Sequence, residues 1–383
     1  MNTELHLFII WENALSEKER ILRHIACDFK IVEIINIKWD KDNFSNNITR
    51  FYGEKLPPDS FKEIECGSGR FTLVTILDSR PKYDNRSTTK GTKEVNTRVF
   101  DAKTLFRKWT GGGHKIHSTN NLMETRRDLH LLLGKDYDNY LKEAQSNSKA
   151  NPVERNLDRN LTGCIQWKSL SELFDTLNQT CSYLVLRNFQ KMPDHFYLEQ
   201  HGDIDLLVEN KTDAAYLINA TPVSKKKYRA NFKVNINYQT IRFDIRSYGD
   251  NYYDRNWQQS MLQTRKLHNG FFIPSDDHYR FSLLYHALIH KRLPGQDYLE
   301  ILNDLGFKSE NLLNELLDFM SENNYDFIEP EDLSVFFNSK PVKAKKSTAR
   351  IIHEFKTETY NKAVSLFTDK QLRHLKKIAS KFV

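Results

Sequence analysis

Read from the N-terminus, the apolar positions change period several times. LHLFIIW (5–11) is an almost unbroken apolar run of strand length, and FKIVEIINIKW (29–39) and RFTLVTILD (70–78) are further β-rich runs. Between the first two, EKERILRHIA (17–26) has helical spacing, and Ser16 with Glu19 predicts a capping box at its start. FSNNITRFYGEKL (44–56), FDAKTLFRKW (100–109) and NLMETRRDLHLLLG (121–134) also read as helices, the last with Leu129, Leu132 and Leu133 on one side and Gly134 as its stop. GGGHKIHSTN (111–120) reads as a loop.

The period is lost over 135–163, where QSNSKANPVERNLDRN is polar, holds one Pro and has no apolar period, and a linker is predicted there. SLSELFDTLN (169–178) resumes as a helix. SYLVLRN (182–188), DIDLLV (203–208) and TIRFDIRSY (240–248) follow as strands. From Asp276 the chain turns helical, through YRFSLLYHALIHKR (279–292) and SENLLNELLDFMSENN (309–324). The pattern predicts an α+β protein of two domains. These are an α/β sandwich over 1–140 and, after a linker at 141–163, a mixed sheet with following helices over 164–335. A basic helical tail spans 336–383.

Composition changes this picture little. Hydrophobic residues make up 39% and charged residues 28% of the 383, enough apolar material for two cores. No apolar run approaches the roughly 20 residues of a membrane span, and MNTELHLF lacks a basic and then apolar leader, so cytoplasmic residence is the expectation. Four cysteines, Cys27, Cys66, Cys164 and Cys181, form no CxxC pair and are expected as buried free thiols. The net charge of +7 is concentrated at one end: residues 340–383 carry twelve Lys and Arg against three acids. DKQLRHLKKIASKFV (369–383) is amphipathic and basic, suited to a peripheral contact with an anionic inner membrane face or to docking on its own domain. No helix-turn-helix, RRM or zinc signature accompanies the charge, so nucleic acid is not an expected partner.

The candidate chemistry starts at GDIDLLV. Side chains two apart share a face of a strand, so Asp203 and Asp205 point the same way while Ile204 points into the core. Two carboxylates that close repel unless a positive charge lies between them. Mg²⁺, or Mn²⁺ in its place, suits paired carboxylates and phosphate oxygens. Asp244 in RFDIR, flanked by Phe243 and Ile245, fits as a third acid from a neighbouring strand. YHALIHKR sets His286 and His290 four apart, read as core or substrate-orienting histidines, and Lys291 with Arg292 follows as a candidate phosphate contact. YGDNYYDRNW (248–257) reads as a packed loop or as a surface that stacks on a base or sugar.

LVLRNF, GDIDLLV and the later FDI together resemble the nucleotidyltransferase superfamily with the polymerase β-like fold, over about residues 165–300. The resemblance implies Asp203 and Asp205 as paired metal ligands and Asp244 as the third acid, linked with activating an acceptor hydroxyl. Where the family carries a glycine-rich turn that holds the triphosphate, this chain has Arg187-Asn188, and the Arg187 side chain is the expected phosphate grip. Enzymes that move an alcohol phosphate from a CDP-activated donor share the same broad fold, so the donor class stays open.

In the first half, IHSTNNLMETRRDLHLLL resembles the IHGSDSxxxAxxEIxLxF stretch of nucleoside diphosphate kinases, over about residues 5–134. It implies a ferredoxin-like α/β sandwich with His117 at the phosphorylated histidine. WEN (11–13) stands where that family has a lysine after the first strand. Gly112, Gly113 and His114 are candidates to hold a phosphate, since glycine-rich backbone and helix starts attract anions. Arg86, Lys90, Arg98 and Arg107 are candidates to assist. The expected function is Mg²⁺-dependent transfer of a nucleotidyl or phosphoalcohol group from a nucleotide-activated donor to a small-molecule or glycan hydroxyl, with surface-glycan biosynthesis as its setting. Two alternatives remain: a glycosyltransferase binding a sugar nucleotide or sugar diphosphate at His114/His117, and a non-catalytic binding or toxin–antitoxin module.

Overall fold

The first strand, β1 (Glu4–Trp11), is buried along nearly its whole length because both of its faces are covered. Leu5, Leu7, Ile9 and Trp11 enter one apolar cluster, while Phe8 and Ile10 enter another on the opposite side. That explains a continuous apolar run in place of alternation. The computed structural model describes residues 3–88, 91–146, 152–193, 202–226, 229–293, 295–308 and 310–365. It is a mixed α+β structure.

Around β1 come α1 (Lys18–Asp28), β2 (Lys30–Lys38), α2 (Phe44–Tyr52), α3 (Phe61–Cys66), β3 (Arg70–Asp78), the hairpin β4 (Tyr83–Thr88) and β5 (Gly91–Asn96), α4 (Thr97–Trp109), β6 (Ile116–Ser118), α5 (Leu122–Leu133), α6 (Tyr137–Ser146) and β7 (Val153–Asp158). The sheet order is β6-β1-β3-β2-β7, antiparallel except for the parallel β2–β7 edge. Residues of α1 and α4 cover one face, and residues of α2, α5 and α6 the other. Asn121 caps α5 by accepting from Glu124 N at 3.0 Å, and Gly134 ends it in the left-handed conformation, φ 65°. Ser16 does not cap α1. It lies inside a 3₁₀ turn (Glu12–Glu17) that runs straight into the helix, and Lys18 N–H bonds back to Leu15 O.

A second sheet follows α7 (Leu170–Thr180): β8 (Tyr183–Val185), β9 (Ile204–Val208), α8 (Lys211–Leu217), β10 (Thr221–Pro222), β11 (Asn231–Ile236) and β12 (Gln239–Ser247), in the order β10-β11-β12-β9-β8. β9 and β12 are parallel, and β8 is antiparallel to β9. A small hairpin, β13 (Lys266–His268) and β14 (Phe271–Ile273), completes the strands.

The chain divides into two compact units, but not at 141–163. Met1–Lys225, Asn231–Ser247 and Arg265–Ile273 form one unit, which holds both five-stranded sheets. The stretch expected to be a linker supplies α6 and β7, and Arg50 ties the two sheets' elements together. Its guanidinium, 2% exposed, donates to the carbonyls of Thr162 and Leu217 at 2.8 Å each and of Tyr216 at 3.1 Å.

The other unit, Lys226–Ala230, Tyr248–Thr264 and Pro274–Val383, is helical: α9 (Arg255–Gln263), α10 (Asp276–Ile289), α11 (Gln296–Asp304), α12 (Leu312–Glu322) and α13 (Thr348–Ser365). Its core is aromatic. Trp257 stacks on Tyr325 at 5.6 Å and packs against Tyr253, Tyr285 and Phe319. The aromatics of YGDNYYDRNW are thus largely spent on packing, with Tyr252, Tyr253 and Trp257 buried. His286 and His290 are buried too, His286 Nδ1 lying 2.9 Å from Tyr252 Oη. Cys27 is exposed, contrary to expectation, while Cys66 and Cys164 are buried. No helix among the described residues is long and apolar enough to cross a membrane. Residues 369–383, expected to meet an anionic membrane, lie outside the described residues.

Candidate metal centre

Parallel pairing of β9 with β12 sets Asp205 opposite Asp244, with Ile204 opposite Phe243 and Leu206 opposite Ile245. The apolar neighbours fill the core and leave the acids together on the other face. Asp203, immediately before β9, joins them: carboxylate oxygens of Asp203, Asp205 and Asp244 lie within 4.8 Å of one another. Asp205 is 5% and Asp244 7% exposed, and Asp203 is half-buried. The structure thus brings together the three acids singled out in the sequence.

Two arginines answer them. Leu186 N donates to Asp205 O at 2.9 Å, extending the β8 pairing and delivering the next residue, Arg187, to the acids. Arg187 Nε donates to Asp205 Oδ2 at 2.8 Å and its Nη2 to Asp205 Oδ1 at 2.5 Å. The residue expected to grip a phosphate therefore grips a metal-ligand candidate. Asn188 follows in the left-handed conformation, φ 59°, which Asn tolerates better than most residues. Arg246, two residues after Asp244 and so on the same face of β12, donates Nη2 to Asp244 Oδ2 at 2.5 Å.

Asp244 Oδ1 is buried and has no hydrogen-bond partner among the described residues. Burial raises the Asp244 carboxyl above the ordinary aspartate range and Asp205 adds to the shift, while Arg246 and Arg187 pull the other way. A buried acceptor left unpaired in a charged cluster calls for an explanation. An all-carboxylate set with one open oxygen fits a hard divalent cation such as Mg²⁺ or Mn²⁺.

The first sheet holds a different constellation. His117 on β6 places Nε2 2.8 Å from Asp128 Oδ2 on α5, and Arg127 donates Nε and Nη2 to Asp128 Oδ1 at 2.8 and 2.6 Å. Phe51 and Tyr52 meet the imidazole edge-on, at 5.1 and 5.8 Å. Glu124 stands within 4.8 Å of the same group. His117 Nε2 bonds directly to Asp128, with no room for an ion between them, so the cluster reads as an oriented histidine. Burial opposes ionisation of Asp128, yet Arg127 and the His117 bond together hold its carboxyl below the usual range. Asp128 was missed in the sequence, although it stands eleven residues after His117, where the IHGSDSxxxAxxE pattern has its acid.

The glycine loop differs from expectation. Gly111, Gly112 and Gly113 take φ 80°, 86° and 77°, but the Gly111 and Gly112 donors close the end of α4. Gly112 N bonds to Arg107 O at 2.6 Å, Gly111 N to Lys108 O at 3.4 Å, and His114 N to Glu65 Oε2 at 2.8 Å. The Glu65 carboxylate takes the His114 amide where an anion was expected, and the Gly111 and Gly112 amides are spent on α4. Burial lowers the His114 pKa, helped by Lys62 and Arg107. Arg98 pairs with Asp78, Arg86 with Asp84 and Asp101, and Arg107 Nε bonds to Ile116 O at 2.9 Å. Lys90 lies outside the described residues. Lys291 is exposed and belongs to the helical unit, its Nζ 5.7 Å from the Tyr298 ring.

No protein-family model matches this sequence, and no curated protein matches it.

Proposed function

We propose that this chain is a divalent-metal-dependent transferase that moves a phosphorus-centred group, nucleotidyl or phosphoalcohol, from an activated donor to a hydroxyl acceptor. One observation carries the reading: the parallel register that sets Asp244 beside Asp205, with Asp203 joining them and Asp244 Oδ1 left open. Asp203, Asp205 and Asp244 would hold the metal, which when bound supplies charge neutralisation for the donor phosphates and acidifies the attacking hydroxyl. The acceptor oxygen bonds to phosphorus as the phosphoanhydride bond breaks, and the leaving phosphate departs with the electron pair. Asp244, whose Oδ1 has no hydrogen-bond partner among the described residues, would be the group to take the hydroxyl proton. Arg246 holds Asp244 in place for that role through its bond to Oδ2.

The His117–Asp128 pair favours a second reading. A histidine fixed at Nε2, with no partner for Nδ1 among the described residues, is arranged as a base or nucleophile.

A turnover panel of nucleoside triphosphates, CDP-alcohols and sugar nucleotides with Mg²⁺ separates the two. Asp203→Asn and chelation should each cost about 10²-fold or more, on the scale of losing one electrostatic stabiliser, while His117→Asn stays active. Turnover that survives Asp203→Asn and disappears in His117→Asn would move the chemistry to the first sheet.

A further inference from the structure

Arg187, Asp205, Asp244 and Arg246 are each 5–7% exposed, and with Asp203 they form a nearly closed set of three carboxylates and two guanidinium groups. The arginines are not equivalent. Arg246 makes one bond of this set, to Asp244 Oδ2, and leaves Oδ1 open. Arg187 covers both oxygens of Asp205 in a fork. A cation that chelates both Asp205 oxygens from the side Arg187 covers must loosen that fork.

We propose that Arg187 is an exchangeable counter-ion. It neutralises Asp205 in the metal-free protein and passes to a donor phosphate when a divalent cation takes the carboxylate. This rests on the metal-centre reading of the three acids. Loss of its carboxylate costs a buried guanidinium several kcal/mol, which a new anion beside Arg187 would offset. A phosphate meets that need, because its oxygens match the same two-pronged geometry.

Charge gives the same answer. With all five groups ionised the set carries one net negative charge. One divalent ion reverses it, and a second leaves a large positive excess unless a polyanion arrives with it. The site is therefore built to bind metal and a phosphate-bearing donor together, and neither well alone. By linkage, each must tighten the other equally. The ligand class that fits is a diphosphate-containing donor, recognised by Arg187 at a phosphate.

The test is a Mn²⁺ titration of the full chain at fixed free Mn²⁺ values, with and without inorganic pyrophosphate. It covers wild type, Arg187→Gln, Arg187→Lys and Asp203→Asn, with folding checked by circular dichroism. A charge within about 6 Å shifts a carboxylate's proton affinity by one to three units, and a metal competes for the same oxygens. Arg187→Gln should therefore bind Mn²⁺ alone roughly tenfold tighter than wild type, yet lose the tightening by pyrophosphate. Arg187→Lys should keep part of it. An Arg187→Gln protein that binds Mn²⁺ more weakly, or that keeps the full pyrophosphate effect, would show Arg187 to be a fixed structural counter-ion and overturn the proposal. A wild type that binds no Mn²⁺ even with pyrophosphate, or binds it as well after Asp203→Asn, would instead remove the metal centre itself.

Discussion

Asp205 and Asp244 stand opposite one another on parallel strands, and each is held by its own arginine. Buried ion pairs of this kind seldom stabilise a fold better than apolar residues of the same size, since desolvation offsets the attraction. The arrangement therefore asks for a reason other than stability.

Asp244 carries a testable cost. Its folded carboxyl is raised above the ordinary range, chiefly by burial. A raised acid favours the folded state while protonated, and that contribution is lost as pH rises through the folded value. In the metal-free protein, stability should fall with pH between the ordinary aspartate range and the raised value, and Asp244→Asn should flatten the slope. Denaturant melts of both proteins across that window check this. Parallel pH profiles would refute it.

Asp128 works in the opposite sense. It is fully buried between Arg127 and His117, and its carboxyl is held below the usual range. Its contribution is present above the unfolded value and lost as pH falls through the folded one. Asp128→Asn should cost about 3 kcal/mol near neutrality, the scale of breaking a buried pair, and less in acid. Equal stability of the two proteins at pH 7 would contradict this.

Lys103, 7% exposed, donates to Asn120 Oδ1 at 2.9 Å. Burial, with Arg107 adding, lowers its pKa from 10.5 to about 8. Between those values the unfolded chain holds more protons than the folded one, so this residue makes stability rise with pH. Wild type should gain up to about 3 kcal/mol on Lys103→Met across that range. Urea melts of the pair at several alkaline pH values measure the gain, and a constant difference would contradict it.

Arg50→Leu should strip the buried Thr162 and Leu217 carbonyls of the guanidinium donor, and Tyr216 of one of its donors, and cost about 3 kcal/mol. Because Arg50 joins elements of both sheets, the wild-type sheets should also melt in one transition. Two resolved transitions within the unit that holds both sheets would show that the sheets fold apart.

Much of this was legible in the sequence. LFIIW and DIDLLV announce themselves because both faces of their strands are buried, and the shared facing of Asp203 and Asp205 follows from strand period. What stayed hidden was pairing across the fold. VERNLD (153–158) is an exposed edge strand held by its backbone ladder to β2, so it carries no apolar pattern and reads as a linker. Arg187 was read as a phosphate ligand because no local signal tells which anion a guanidinium will meet. The three glycines were read as an anion cradle because the closing contacts come from Arg107, Lys108 and Glu65, and Glu65 is distant in sequence.

The most direct measurement is an anomalous difference map from crystals of the wild-type chain soaked with Mn²⁺ and a diphosphate donor. The account requires a peak at metal–oxygen distance, about 2.0–2.2 Å, from the carboxylates of Asp203, Asp205 and Asp244, with the Arg187 guanidinium turned from Asp205 to a phosphate. A peak at Glu124 and Asp128 instead, or no peak beside the three aspartates at saturating Mn²⁺, would contradict it.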